Sequence, residues 1–229
     1  PFERKVFRSL VRTISESDPT RALELFQARA PELRTEEMTG DLTGNLVRAM
    51  IETGDDSHMR RMFGLHDRSE VAQATLAAYA KAAKFGEGVA FIEQFVTDPG
   101  QRADVIFQAV VGLPNRDSFN PALDWVRDNT PAPEAPALFR DLGERGAMRG
   151  TWLEDQEPGP IWDQGHLGRM EDRMESGDYR EAFADAENIG DLSIRASAQE
   201  RVGRAWLLHD QAEATKDLPV EVLQQIKDQ

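Results

Sequence analysis

Apolar residues recur every three to four positions along most of the chain, which is the spacing of one face of an α-helix. The clearest segment runs from Ser69 to Ala83, with Val71, Leu76 and Tyr79 on its apolar face and Lys81 opposite. Similar apolar stripes start near Val6, Leu42, Val105 and Ile194. No segment alternates apolar and polar residues as a half-buried strand does. The pattern therefore predicts an all-α protein.

Short polar turns separate the predicted helices. The stretches Ser17 to Pro19 and Thr97 to Pro99 each place an aspartate before a proline, which suits the cap and first turn of a helix. Asn120 followed by proline is predicted to start a helix in the same way. Gly86 and Gly88 are predicted to supply the backbone freedom for a tight reversal between two helices.

Helices this short bury their apolar faces only against neighbouring helices. Successive helical hairpins begin about 30 to 37 residues apart, in the range of helical-repeat proteins, which predicts about six or seven hairpins. We interpret residues 1–229 as a single helical-repeat domain. Within it, an irregular loop at 146–165, rich in glycine, proline and acidic residues, separates 1–145 from 166–229.

One turn sequence points to a repeat family. The stretch Gly177 to Ala182, Gly-Asp-Tyr-Arg-Glu-Ala, resembles the helix-to-helix turn of tetratricopeptide repeats. The Asp-Pro helix starts that precede Ala-Leu and an aromatic residue are similar to the degenerate tetratricopeptide-like repeats of large bacterial helical-repeat proteins. The resemblance implies a right-handed α-solenoid whose concave face binds a peptide or protein.

Composition narrows the classes of partner. The chain has 229 residues, of which 40% are hydrophobic and 30% charged, as in soluble folded proteins. Its formal net charge of -14 argues against a surface for nucleic acid or for an anionic membrane. No apolar run approaches the roughly 20 residues that cross a bilayer, so no direct membrane insertion is expected. Cytoplasm and periplasm are equally compatible with the sequence.

Motifs for catalysis or metal binding are weak. Without cysteine, disulfides and thiolate catalysis are excluded. His58 and His66 lie about two turns apart but do not form a His-Glu-x-x-His pattern, and surface polar positions explain them better than a metal site does. Paired carboxylates such as Glu171 and Asp172 are expected in a chain with 41 acidic residues. We therefore predict no catalytic residue, no metal site and no cofactor.

Four residues are candidates for contact with a partner. Trp152 and Trp162 flank an acidic loop that is rich in glycine and proline, and tryptophan is over-represented among interface hot spots. Alternatively, both rings tuck under the loop and seal the gap left by the broken repeat. Arg60 and Arg61 suit an acidic partner, although neighbouring acids within the chain also suit them.

The sequence predicts a non-catalytic helical-repeat scaffold or assembly subunit that binds a protein or peptide partner, including within a multi-subunit complex. Contacts are expected on the first helix of each hairpin. One alternative is an accessory helical domain of a larger enzyme, which the absence of an initiator methionine at Pro1 permits. Another is a hydrolase that uses a carboxylate pair, which requires two inward-facing carboxylates in one cleft.

Overall fold

The computed structural model describes residues 2–28, 35–113, 116–148 and 152–227. These residues form fourteen α-helices and no β-strand, which confirms the prediction of an all-α protein. The first seven helices are α1 (Phe2–Ser17), α2 (Pro19–Gln27), α3 (Glu36–Thr53), α4 (Ser57–Leu65), α5 (Arg68–Lys81), α6 (Phe85–Ile92) and α7 (Pro99–Val111). The other seven are α8 (Arg116–Asn129), α9 (Ala135–Glu144), α10 (Pro160–Glu175), α11 (Tyr179–Asn188), α12 (Leu192–His209), α13 (Gln211–Asp217) and α14 (Val220–Lys227).

Two compact units divide the chain between Trp125 and Val126, inside α8. In the first unit the odd-numbered helices pack on one another in succession, α1 on α3, α3 on α5 and α5 on α7. The helices α1, α3 and α5 each also pack on the helix that follows them in the chain. The largest fully buried side chains of this unit include Phe26, Leu42 and Leu76. The first unit is thus a set of helical hairpins that share one apolar core.

In the second unit, α10 packs on α9, α11 and α12, and α12 packs on α11, α13 and α14. A core that includes Phe183, Val202 and Trp206 lies among these helices. The apolar pattern of the sequence does not separate α13 from its neighbours. The side chain of Asp210, directly after α12, accepts a hydrogen bond from the backbone N–H of Glu213 and so caps this helix.

The predicted aspartate-proline helix starts are confirmed for α2 and α7. Asp18 caps α2 by accepting a hydrogen bond from the backbone N–H of Arg21, and Asp98 caps α7 in the same way. The predicted start at Asn120 is wrong, because α8 begins at Arg116 and contains Pro121 inside it. Phe119 is buried, so hydrophobic contact stabilises the part of the helix that precedes the proline.

The predicted role of Gly86 and Gly88 is also wrong. Both lie inside α6, and the reversal before it is made by Ala83, which takes the left-handed conformation with φ 56°. The glycines instead permit close packing of aromatic rings. A Cβ on Gly86 would lie 2.9 Å from the Trp125 ring, and one on Gly88 would lie 2.8 Å from the Tyr79 side chain.

The irregular loop belongs to the second unit and does not lie at the division between the units. Its described part contains a 3-10 turn, Leu153–Asp155, and the helical pattern resumes at Pro160, earlier than the sequence indicated. Leu153 is buried and packs against Gly165 of α10. A Cβ on Gly165 would lie 2.6 Å from the Leu153 side chain. A single helical-repeat domain over residues 1–229 stays a prediction.

Candidate functional site

Trp152, a predicted partner-binding residue, is inside the second unit. It is 3% exposed, and its indole stacks on the ring of Phe139 with the ring centroids 5.0 Å apart. The side chain of Gln156 donates a hydrogen bond to the Trp152 carbonyl at 3.1 Å, and Arg127 donates to Gln156 at 2.8 Å. This burial favours the interpretation in which Trp152 seals the broken repeat.

Trp162 lies in the first turn of α10 and is half-buried. Its indole Nε1 donates a hydrogen bond to the Asn188 carbonyl at 2.6 Å, and its ring meets the His166 ring at a centroid distance of 4.6 Å. Trp162 thereby connects the start of α10 to the end of α11. Its predicted contact with a partner stays a prediction.

Arg60 and Arg61 are exposed on α4 in the first unit. Arg60 donates hydrogen bonds to Asp56 at 2.8 Å and to Gln94 at 2.9 Å, and Arg61 donates to Gln27 at 2.5 Å. The two glutamines are each 34 residues from their arginine. Both guanidinium groups therefore have partners within the chain, and they connect α4 to the end of α2 and to the turn that follows α6.

A buried ionic cluster in the second unit was missed by the sequence analysis. Asp185 of α11 is 1% exposed and accepts hydrogen bonds from Arg169 Nε at 2.7 Å and from Arg173 Nη1 at 2.6 Å. His166 Nδ1 lies 3.0 Å from the same carboxylate. Arg169 also donates to Glu154 of the irregular loop at 3.0 Å. These five residues, called here the Asp185 cluster, fasten α10 to α11 and to the loop.

Electrostatic pairing keeps the buried guanidinium of Arg169 charged. Burial alone lowers its pKa, but the hydrogen bonds and negative charges of Asp185 and Glu154 raise the pKa above its ordinary value. Removal of one member of a buried charged pair is strongly destabilising, because it leaves the other member unpaired in the interior. We therefore interpret the Asp185 cluster as a structural connection between α10, α11 and the irregular loop.

His166 is fully buried, and its Nε2 has no hydrogen-bond partner among the described residues. The sequence does carry one signal for this buried polar arrangement. One face of α10 carries Asp163, His166, Arg169 and Arg173, because these residues are spaced by three to four positions. No group of three potential ligands (histidine, cysteine, aspartate or glutamate) is placed to hold a metal ion in the part of the chain that the structure describes.

An opening of about 360 Å³ lies between α3 and α5 in the first unit. It is lined by Glu37, Gly40, Glu70, Gln73 and Ala74. Glu37 forms an ion pair with Arg8 of α1, and Glu70 lies 2.7 Å from His66. The opening therefore lies on two successive odd-numbered helices, and half-exposed carboxylates line it.

An opening of about 410 Å³ lies on α9, α10 and α12 in the second unit. It is lined by Glu144, Glu171, Asp172, Met174, Glu175 and Arg201. Arg140 donates to both oxygens of Glu171, at 3.0 and 3.1 Å, and to Glu144 at 2.9 Å. Arg201 also donates to Glu171. Two carboxylates and two guanidinium groups thus connect three helices beside this opening.

Two of the glutamates that line this opening, Glu144 and Glu171, differ in acidity. A hydrogen bond with Glu171, together with burial, raises the pKa of Glu144 although Arg140 opposes this. Burial raises the pKa of Glu171, but hydrogen bonds with Glu144 and Arg201 and the charge of Arg140 lower it overall. Glu144 is therefore the member of the pair that holds a proton more readily.

We expect Glu144→Gln to remove one part of the pH dependence of stability. Because the folded pKa of Glu144 is raised, its stabilising contribution is complete below the unfolded value of about 4.3 and is lost as pH rises through the folded pKa. Glutamine cannot ionise, so the melting temperature of the variant should not fall in that range as that of the wild type does.

The contribution of Glu171 has the opposite sign. Because the pKa of Glu171 is lowered in the folded state, its contribution to stability is complete above the unfolded pKa and is lost as pH falls through the folded pKa. This loss of stability at acid pH should remain in Glu144→Gln. Melting curves by circular dichroism from pH 3 to pH 8, a range of about five pH units around these values, measure both effects. Glu175→Gln, at the same opening, is the control. Identical profiles for wild type and Glu144→Gln would contradict the assignment.

Comparisons with known protein families, with curated proteins and with solved structures give no match for this chain. Among the described helices, none combines the length and the apolar character that a membrane span requires. The arrangement of the helices and their two openings is therefore the basis for a proposed function.

Proposed function

We propose that this protein is a right-handed α-solenoid of tetratricopeptide-like hairpins that binds a protein or peptide partner without catalysing a reaction. It would act as a scaffold or as a subunit of an assembly. The binding surface would be formed by the first helices of successive hairpins, since a stack of hairpins offers a broad surface in place of a deep pocket.

One observation carries the proposal. Within each unit the first helices of successive hairpins pack directly on one another, α3 on α5 and α10 on α12. An opening lined by carboxylates lies on each of these pairs, and α9 also contributes Glu144 to the opening of the second unit. Each unit thus has an opening on a pair of packed first helices, as expected if both present a binding surface there.

The spacing of side-chain hydrogen bonds between hairpins supports the repeat. Side-chain hydrogen bonds join one hairpin to the next at separations of 30 to 38 residues, which spans the length of a tetratricopeptide repeat. These bonds include Asn45 to Ser15, Arg61 to Gln27, Arg60 to Gln94, Gln101 to Ser69, Arg140 to Glu171, Arg180 to Glu213 and Thr20 to His58.

The alternative of a carboxylate-pair hydrolase has Glu144 and Glu171 as its best candidates, because they share one opening and their pKa values are shifted apart. However, Arg140 occupies both oxygens of Glu171, which leaves that carboxylate neutralised and poorly placed to act as a base or nucleophile. The accessory-domain alternative stays a prediction.

A position-specific cross-linking experiment tests the proposal. A photoreactive amino acid would be introduced at Gln73 and Glu175, one at each opening, and at the exposed Ala90 of α6, on a second helix, as the control. After irradiation in the native cells, mass spectrometry should identify the same discrete protein from Gln73 and Glu175 and not from Ala90. Equal cross-linking from all three positions, or none from the two openings, would contradict the proposed binding surface.

A further inference from the structure

We infer that copies of this protein associate head to tail, with the outer side of α1 of one copy packed against exposed apolar residues of α12 and α14 of the next. The inference goes beyond the proposed function, because these surfaces take a second copy of this chain and not the partner at the openings. Val6 and Leu10 of α1 are called here the head residues. Leu208 of α12 and Val220 of α14 are called the tail residues.

Large hydrophobic side chains that are exposed occur on only three helices within the part of the chain that the structure describes. Their exposed fractions run from 45% to 89%, and they are Val6, Leu10, Leu192, Leu208 and Val220. None lies on the described residues of α2 to α11 or of α13. The outermost helices of a helical-repeat stack need a polar outer face to stay soluble alone. Apolar residues confined to α1, α12 and α14 therefore favour the stacking of further helices there.

The head residues lie on the side of α1 that faces away from α3. Val6 and Leu10 are four residues apart and so share one face of the helix. Arg8, which forms an ion pair with Glu37 of α3, is two residues from each of them, about 200° around the helix axis. α3 packs on α1 and on α5. Among the described residues, the outer side of α1 therefore lacks the neighbour that α1 itself provides for α3.

The tail residues lie on two helices that pack on each other, and they point away from the contact. A Cβ on Gly203 of α12 would lie 3.3 Å from the side chain of Val222, which marks the inner side of α14. Val220 is two residues from Val222 and so lies on the other side of α14. Leu208 has the same relation to the buried Trp206 of α12. The tail residues are thus free to contact a further helix.

Charge favours contact between a head and a tail over contact between two heads. α1 contains four basic and two acidic residues, whereas residues 210–227, which include α13 and α14, contain two basic and four acidic residues. The exposed Lys5 directly precedes Val6, and the exposed Glu221 directly follows Val220. Two copies of α1 would therefore repel each other, whereas α1 attracts the segment that carries Val220.

Sedimentation velocity of the whole chain and of two blocked variants tests the inference. The head-blocked variant is Val6→Glu with Leu10→Glu, and the tail-blocked variant is Leu208→Glu with Val220→Glu. A head-to-tail contact leaves one head and one tail free, so the wild type should associate beyond a dimer as its concentration rises from about 1 to 300 μM. Each blocked variant alone should stay monomeric over that range. An equimolar mixture of the two should form a dimer and nothing larger, because one usable head and one usable tail remain.

The matched control is Ala90→Glu with Ala103→Glu, which adds the same charge at exposed positions of α6 and α7. It should associate within about twofold of the wild type, because salt screens charges outside the contact. Melting curves by circular dichroism show whether each variant is folded. If the head-blocked variant melts lower than the wild type, the exposed Lys5→Glu decides in its place and should weaken association by about twofold to fivefold.

The inference is overturned if the wild type stays monomeric over this range, if a folded head-blocked variant associates as the wild type does, or if the mixture contains no dimer. Dimers of the tail-blocked variant alone would show contact between two heads and would overturn it as well. None of these results decides the proposed function, because cross-linking at Gln73 and Glu175 tests the openings and not the head and tail residues.

Discussion

Gly168→Ala should unfold the second unit or destabilise it by more than about 4 kcal/mol, a size reached by few single substitutions. Gly168 lies where α10 crosses α9. A Cβ built on it would lie 3.0 Å from both the Arg140 carbonyl carbon and the Glu144 nitrogen, and the Arg140 oxygen would be closer still. Because these atoms belong to the main chain of α9, no side-chain rotation relieves the collision.

The crossing is close from both sides. A Cβ on Gly143 of α9 would lie 2.8 Å from the Arg169 nitrogen and 2.9 Å from the carbonyl carbon of Gly168. The two glycines therefore let the main chains of α9 and α10 touch. Separating the helices would also pull Arg140 away from Glu171 and so weaken the ion pairs beside the opening of the second unit.

Thermal unfolding followed by circular dichroism measures the effect, with an expected fall in melting temperature of about 10 °C or more. Gly64→Ala is the matched control, because it also places alanine at a helical glycine but meets no described atom within 4 Å. It should gain up to about 1 kcal/mol from helix propensity. A melting temperature for Gly168→Ala equal to that of the wild type would mean that α9 and α10 do not cross this closely.

The contrast between these glycines indicates what the sequence could and could not reveal. Periodicity predicted the helices, and local chemistry predicted the caps at Asp18 and Asp98, because both depend on residues a few positions apart. The role of Gly168 depends on its packing against α9, about 25 residues away. A glycine inside a helical pattern does not indicate which segment of the chain packs against it. The same limit explains why Gly86 was assigned to a turn although it packs against Trp125.

Charged residues show a second limit. Nothing in the sequence marks Arg169 and Asp185 as buried, because ionisable side chains are seldom fully buried unless they are paired. Their pairing joins two different helices, so neither residue looks unusual within its own segment. The loop between α9 and α10 was recognised as irregular, but its packing inside the second unit depends on Leu153 and Trp152 finding their neighbours in space.

The Asp185 cluster gives the second large expected effect. Asp185→Ala should destabilise the protein by about 4 to 5 kcal/mol, in the upper part of the range for breaking a buried ion pair. The reason is that Arg169, whose side chain is 9% exposed, would lose its buried carboxylate partner, and Arg173 would lose a bond of 2.6 Å. Chemical denaturation with urea measures the free energy of unfolding.

Two further variants separate charge from packing. Glu154→Ala removes the exposed carboxylate partner of Arg169 and should cost less than about 1 kcal/mol, as for other exposed ion pairs. In the double variant Asp185→Ala with Arg169→Met, the unpaired buried charge is gone, so stability should recover by at least about 1 kcal/mol relative to Asp185→Ala alone. If the double variant were less stable than Asp185→Ala, the loss of stability in Asp185→Ala would come from lost packing around α10 and α11. Recovery would instead show that the cost of Asp185→Ala comes from the unpaired charge of the buried Arg169 and not from the lost volume of the aspartate.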